Sequence, residues 1–285
     1  MAAVTIIGGH GKIALILARI LSSRGDAVTS WIRNPEHAAE VAETGATPLV
    51  LDVENASKDE IAAALVGADA VVFSAGAGGG NPARTYAVDR DAAIRSIQAA
   101  ESAGVRRYVM VSYLGAAPDH GVPETDSFFA YAEAKAAADV ALRASDLDWT
   151  VLMPGRLTLD EPTGRVDPAA VRAADNPGTS RANVALVAAS VLDRPDTVGK
   201  DLPFTDGSQA IEGLGATEPP AAPQMAREAP TWRRLGPGPV GKTVPGPRAS
   251  RDQCIAARMS CTRSLASPKS IAELSRKNSG FCTPA

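Results

Sequence analysis

With 285 residues, 45% of them apolar and 21% charged, the chain can build one large α/β domain, or two small ones, around a real hydrophobic core. Its formal net charge of -3 implies no bulk affinity for nucleic acid or for an anionic membrane. No apolar run approaches the roughly 20 residues of a membrane span. The opening Met1-Ala2-Ala3-Val4-Thr5-Ile6-Ile7-Gly8 lacks the basic start and unbroken apolar core of a signal peptide, so a cytoplasmic location is expected.

Taken in order, strand-like and helix-like segments alternate over residues 1–214. Val4-Thr5-Ile6-Ile7 is an apolar run suited to a strand buried on both faces. Ile13, Ile16, Leu17, Ile20 and Leu21 then recur at helical spacing up to Arg24-Gly25. Further strands are predicted over Ala27 to Arg33, Thr47 to Leu51, Asp69 to Ser74, Arg107 to Ser112, Trp149 to Met153 and Asp201 to Phe204. Between them come a helix after Pro35, then helices over Asp59 to Leu65, 87–103, Phe129 to Ser145 and Ala182 to Leu192. Strands that alternate with helices predict a doubly wound, parallel, Rossmann-type sheet covered on both faces.

Residues 215–285 have another composition. They hold 10 of the 21 prolines and carry 11 Lys and Arg against 4 Asp and Glu. Runs such as Gly236-Pro237-Gly238-Pro239 sustain neither helix nor central strand, so this tail reads as disordered, with a short helix near Ile271 to Leu274. A basic interaction arm is the alternative. Cys254, Cys261 and Cys282, the only cysteines, all lie here, and their spacing fits no zinc motif. Gly236 to Thr243 matches the phosphate-loop pattern G-x-x-x-x-G-K-[ST] but lacks a strand before it and a helix after it, so it is read as a chance match.

The chemistry-bearing segments fall at the predicted carboxyl ends of strands. Gly8-Gly9-His10-Gly11-Lys12-Ile13-Ala14 fits G-x-x-G-x-x-A between the first strand and the first helix. Such glycines permit a tight turn and close approach of backbone to a pyrophosphate at the helix N-terminus. The second strand ends Trp31-Ile32-Arg33-Asn34 without an acidic residue. Arg33 therefore predicts a 2′-phosphate partner and NADP(H), with NAD(H) remaining open. Asp52-Val53 is placed to contact adenine, and Ser74-Ala75-Gly76, opening a run of small residues, to line the middle of the cofactor. Tyr131 and Lys135 form Y-x-x-x-K, one helical turn apart. A neighbouring ammonium would lower the phenol's pKa and make Tyr131 a usable acid.

These segments, together with Ala103 to Val109, Val111-Ser112, Pro154-Gly155-Arg156 and Ser180 to Ala185, resemble the atypical short-chain dehydrogenase/reductase superfamily. The likeness is closest to its small NAD(P)H-binding branch, near the NmrA-like and biliverdin/flavin-reductase-like proteins, and covers about residues 3–212. It implies strand order 3-2-1-4-5-6-7 and a nicotinamide cofactor on the glycine loop, Arg33, Asp52, Val53, Ser74 to Gly76, Lys135 and Pro154. It also implies Ser112, Tyr131 and Lys135 as the catalytic set. The expected activity is NADPH-dependent reduction of a small carbonyl, quinone or flavin-like substrate, with Asp119 to Ser127 as a loop over the site. A non-catalytic NADP(H) sensor is the alternative. A nucleotide-sugar epimerase fits less well, because only about 60 residues follow Pro154 before the tail. Neither substrate identity nor oligomeric state is legible.

The composition of the tail yields a direct expectation. Without apolar periodicity it cannot bury enough surface to offset its ordering entropy. Truncation after Gly215 should leave the melting temperature and cofactor affinity essentially unchanged. A thermal melt and a cofactor titration check this, and a large drop in melting temperature would mean that the tail docks on the domain.

Overall fold

The computed structural model describes residues 1–78, 80–169 and 178–215. The readings made above for residues 216–285 lie outside them, as does Gly79. The chain opens with β1 (Ala3–Ile7), α1 (Lys12–Ser23), β2 (Ala27–Ile32), α2 (Ala38–Ala42), β3 (Thr47–Val50), α3 (Lys58–Leu65) and β4 (Ala70–Phe73). A long helix follows as three joined pieces. These are α4 (Pro82–Thr85), a π-helical segment over Tyr86–Ala92, and α5 (Ala93–Ala103). Then come β5 (Arg107–Val111), α6 (Phe129–Arg143), β6 (Asp148–Pro154), β7 (Arg156–Thr158), β8 (Arg165–Pro168), β9 (Gly178–Ser180), α7 (Arg181–Leu192), β10 (Lys200–Asp206) and β11 (Gln209–Ala210).

Seven strands are parallel in the order β3-β2-β1-β4-β5-β6-β10, the expected 3-2-1-4-5-6-7 arrangement with β10 as the seventh. Two short antiparallel strands, β8 and β11, extend the β10 edge, and β7 pairs with β9 in a separate two-stranded sheet. None of these four was anticipated. They are two to four residues long and carry polar residues such as Arg165, Asp167 and Gln209, so they lack the apolar run that marks a buried strand.

Both sheet faces are dry. On one, Val4, Ile6, Val72, Val109 and Leu152 pack against Leu17 and Leu21 of α1 and Val184 and Ala188 of α7. On the other, Ile7, Phe73, Met110 and Val151 pack against Ile61 of α3, Ile97 of α5 and Leu142 of α6. Side chains alternate between the two faces along each strand, and this alternation makes a continuous apolar run the right sequence for a central parallel strand.

The helix expected from residue 87 in fact starts five residues earlier, at Pro82. Asn81 caps it by accepting from the Arg84 amide at 3.2 Å, and Pro82 occupies the first turn. The Asn81-Pro82 start signal sits directly after the glycine-rich run.

Arg107 at the start of β5 fastens the edge of the sheet opposite the strands' carboxyl ends. Its guanidinium donates to the Asp148 carbonyl (2.6 Å), Thr150 Oγ1 (2.9 Å), the Val191 carbonyl (2.7 Å) and Thr197 Oγ1 (3.2 Å). Burial lowers its pKa to about 10. Arg107→Met should strand these acceptors and cost about 2–4 kcal/mol of stability, or roughly 5–15 °C in Tm, with cofactor affinity unchanged. Thermal melts in parallel with cofactor titration check both halves of that expectation.

Candidate functional site

The glycine loop occupies the turn between β1 and α1. Gly8 has φ +86°, and a Cβ there would lie 2.5 Å from Ala75 Cα, so the loops after β1 and β4 touch backbone to backbone. Gly9 donates to the Trp31 carbonyl (2.7 Å), and a Cβ on it would meet Ser30 at 2.6 Å. It seats the loop on β2. Gly11 is the N-cap of α1. That helix has no capping side chain and no acidic residue in its first turn, so its positive end is available to an external anion. Ala14 is fully buried and permits close helix–strand packing. Ile13 lines the cleft, whereas Lys12 is exposed and lines a separate groove with Leu15, Arg19 and Arg181. Its side chain thus lines that groove, while its backbone lies in the first turn of α1 beside the glycine loop.

On the β2 side the cleft is a cavity of about 300 Å³ lined by Gly8, His10, Gly11, Arg33, Asp52 and Val53, among others. His10 stacks on His37 with ring centroids 3.5 Å apart and hydrogen-bonds Glu40 at 2.7 Å. Asp52 is engaged in its own turn, accepting from the Glu54 amide (3.1 Å) and from Asn55 Nδ2 (2.7 Å). Arg33 is not opposed by a carboxylate from its own strand, as expected, but Glu54 from the β3 turn reaches it at 3.2 Å. Arg84 of α4 holds the same Glu54 oxygen at 3.2 Å. The sequence reading named neither Glu54 nor Arg84.

On the β5 side lies a cavity of about 710 Å³, lined by Ile13, Asp89, Ser112, Tyr131 and Lys135, among others. Ser74, Ala75 and Gly76 line both cavities and join them. Lys135 is 1% exposed. Its ammonium donates to the Val111 carbonyl at 2.7 Å and lies 5.9 Å from the centre of the Phe73 ring. Two buried carboxyls face this charge. Asp89, in the π-helical segment, accepts from the Ala77 amide at 3.0 Å, and Asp139 accepts from Ser112 Oγ at 2.5 Å. Burial pushes both carboxyls up against the opposing pull of Lys135.

Ser112, Tyr131 and Lys135 thus converge on one cavity. Ser112 and Tyr131 also line an adjoining cavity of about 400 Å³ with Phe128, Pro154 and Leu157. Pro154 lines this third cavity, which shares Ser112 and Tyr131 with the second. It ends β6, and its carbonyl is taken by the Leu114 amide at 2.8 Å. Of the expected loop over the site, Ser127 lines the cleft. The expected lowering of the Tyr131 pKa is also corrected. Burial first, then the Asp89 and Asp139 carboxylates, push this phenol up. The neighbouring Tyr113, buried beside Asp139, is pushed up to about 12.

Asp89 and Asp139 were missed because each sits within an ordinary helical pattern. Asp139 does follow Lys135 by four residues, a spacing that sets it on the same helix face.

The geometry fits a dinucleotide: a glycine turn opening onto an uncapped helix N-terminus, flanked by two joined cavities. The comparisons agree. The model of the NAD(P)H-binding family matches residues 8–195. A Bacillus subtilis protein named as an uncharacterized sugar epimerase is 34% identical over 210 residues, covering 73% of this chain and 96% of that protein. Two solved structures are similar. A putative NAD-dependent epimerase/dehydratase from Bacillus halodurans has 32% identity and a TM-score of 0.68, covering 74% of this chain and 97% of the other. The oxidoreductase ylbE from Lactococcus lactis has 26% identity and a TM-score of 0.66, covering 75% and 94%. With the glycine loop, the joined cavities and helix α7 all in or beside the matched segment, this chain belongs to the NAD(P)H-binding family.

Proposed function

We propose that the chain is an NADPH-dependent reductase of a small carbonyl, quinone or flavin-like substrate. The observation that carries this reading is the strip Ser74-Ala75-Gly76, which joins a cavity ending at Arg33 to one walled by Ser112, Tyr131 and Lys135. A cofactor laid along that strip would put its phosphates at the N-terminus of α1 and its reactive ring beside Lys135. When bound, the cofactor supplies a hydride to the substrate.

The chain's own residues then have separable tasks. Lys135, fixed by the Val111 carbonyl, holds a positive charge on the cavity wall. Tyr131 stays protonated, since burial and two carboxylates oppose its ionisation, and it offers its O–H to the substrate oxygen as negative charge develops there. Ser112 donates to Asp139, a carboxyl that burial pushes toward its protonated form. When Asp139 holds the proton the direction reverses, and Ser112 is free to donate to the substrate.

A second reading, a sensor that binds NADP(H) without turnover, is supported by the same raised Tyr131 pKa, because a phenol held high is a weak acid. The epimerase names of some relatives favour a third. Against it, the described chain after Pro154 supplies one helix and short strands with little room for a sugar-nucleotide domain.

A hydride-transfer assay over a substrate panel separates turnover from sensing. Gly11→Val should abolish cofactor binding in a folded chain, because Gly11 already has an extended backbone (φ -65°, ψ 150°) and the added branches would fill space over the α1 amides. Tyr131→Phe should lower kcat by about 10²–10⁴-fold while Kd for NADPH stays within a few-fold. Turnover that survives Tyr131→Phe would overturn its role as the acid.

Cofactor choice gives a separate expectation. NADPH should bind roughly tenfold tighter than NADH, and Arg33→Asp should reverse that order. Dissociation constants for both cofactors at one ionic strength check this, and equal wild-type affinities would count against Arg33.

A further inference from the structure

We infer that Glu54 is a specificity-determining residue of the cofactor site, an internal carboxylate that occupies Arg33 and competes with the cofactor's 2′-phosphate for it. The inference rests on the reading that Arg33 receives that phosphate.

The observation is a three-member charge chain along one wall of the smaller cavity. Glu54 Oε2 lies 3.2 Å from Arg33 Nη1 and 3.2 Å from Arg84 Nη2, and Arg84 Nε adds a bond to the same oxygen at 3.2 Å. Arg33, Glu54 and Arg84 all line that cavity. The carboxylate is the most enclosed of the three, with its side chain 19% exposed against 56% for Arg33 and 37% for Arg84.

Glu54 is also held in place through its backbone. Its amide donates to Asp52 Oδ1 at 3.1 Å and its carbonyl accepts from Arg95 Nη2 at 2.8 Å. Arg84 is fixed in turn by a bond to the Ala77 carbonyl at 3.3 Å, which ties the chain to the loop after β4. The Glu54 backbone is therefore fixed beside the site, and its carboxylate, already bonded to Arg84, keeps that partner if it gives up Arg33.

The charges decide the consequence. Within this chain of three, two guanidiniums and one carboxylate leave a single positive unit, and Asp52 adds a further negative charge to the same cavity, whereas a phosphomonoester carries nearly two negative charges. A 2′-phosphate on Arg33 must displace Glu54 and then sit beside it as a like charge. A dinucleotide with a free 2′-hydroxyl leaves the Arg33–Glu54 pair intact. Glu54 therefore weakens the phosphorylated cofactor selectively and brings the two cofactors closer in affinity than Arg33 alone would.

The test is Glu54→Gln in the full chain, with Kd for NADP⁺ and NAD⁺ measured by calorimetry at low and high salt. The pair is partly exposed, so the gain is modest. NADP⁺ should bind about three- to tenfold tighter, NAD⁺ should change less than twofold, and the gain should shrink as salt screens it. An unchanged NADP⁺ to NAD⁺ ratio overturns the inference. So does a selective loss of NAD⁺ affinity, which would make Glu54 an acceptor for the ribose hydroxyls. Arg33→Gln separates this failure from that of the underlying reading. If Arg33→Gln lowers NADP⁺ affinity and Glu54→Gln does nothing, the competition is wrong and the phosphate assignment stands. If Arg33→Gln also does nothing, both are wrong.

Discussion

The contact between Gly8 and Ala75 is the constraint on which the rest of the cleft depends. Two loops leave neighbouring parallel strands, β1 and β4, and their backbones meet with no room for a Cβ at Gly8. A side chain there would push the strands' exits apart or lift the glycine loop off α1. The same closeness makes Ser74-Ala75-Gly76 a floor shared by two cavities instead of a wall between them. Gly76 repeats the logic one step on, since a Cβ there would lie 3.1 Å from the Asp89 carboxylate. The approach at Gly8 excludes any side chain, whereas that at Gly76 is tight against a side-chain oxygen only.

Once the floor is fixed, burying an ammonium beside it has a cost. Lys135 has lost its water and needs opposite charge nearby. Asp89 and Asp139 provide it from two different helices, and each is itself pushed toward neutrality by the same burial. The π-helical segment carries Asp89 into this position, and the widened turn is a feature found often at functional sites. Each of the three groups would be expensive alone. Together they form a charged patch in the cavity wall, and Ser112 and Tyr131 take their electrostatic surroundings from it.

How much of this was legible follows from the kind of signal each part leaves. The central parallel strands announce themselves because burial on both faces demands runs such as Val71-Val72-Phe73 and Val109-Met110-Val111. The glycine loop was legible for a similar reason, since its geometry excludes other residues. Strands β8 and β11 leave no such trace. They are held by specific bonds, such as the Ser208 and Gln209 amides to Asp167 Oδ1, which no periodicity encodes. Glu54 and Arg84 were invisible for the same reason: a charged residue in a turn and another near a helix start look solvated until the fold brings them together. The Tyr131–Lys135 pair was found by spacing. Its electrostatics were misjudged because Asp89 arrives from another helix, where no spacing shows it, and because Asp139, one turn on from Lys135, was not weighed with the pair.

The arginines on the two edges of the sheet show how one residue type serves two ends of the fold. Arg107, at the amino-terminal edge, is nearly buried among neutral partners, two backbone carbonyls and two threonine hydroxyls. Its partners are fixed by the secondary structure, so it has one arrangement and works as a clamp. Arg33, at the carboxyl-terminal edge, is more than half exposed and meets a single carboxylate that has a second guanidinium to turn to. The carboxylate is shared between the two guanidiniums through one oxygen, and Arg33 keeps most of its surface open to solvent. Hydrogen bonds to carbonyls fixed by secondary structure stabilise the fold, whereas a partly exposed, shared ion pair contributes little to it. The parallel sheet sorts these roles by putting every strand's carboxyl end, with its loops and helix N-termini, on one edge. Exchangeable charge is tolerated there because the clamp at the opposite edge does not depend on it.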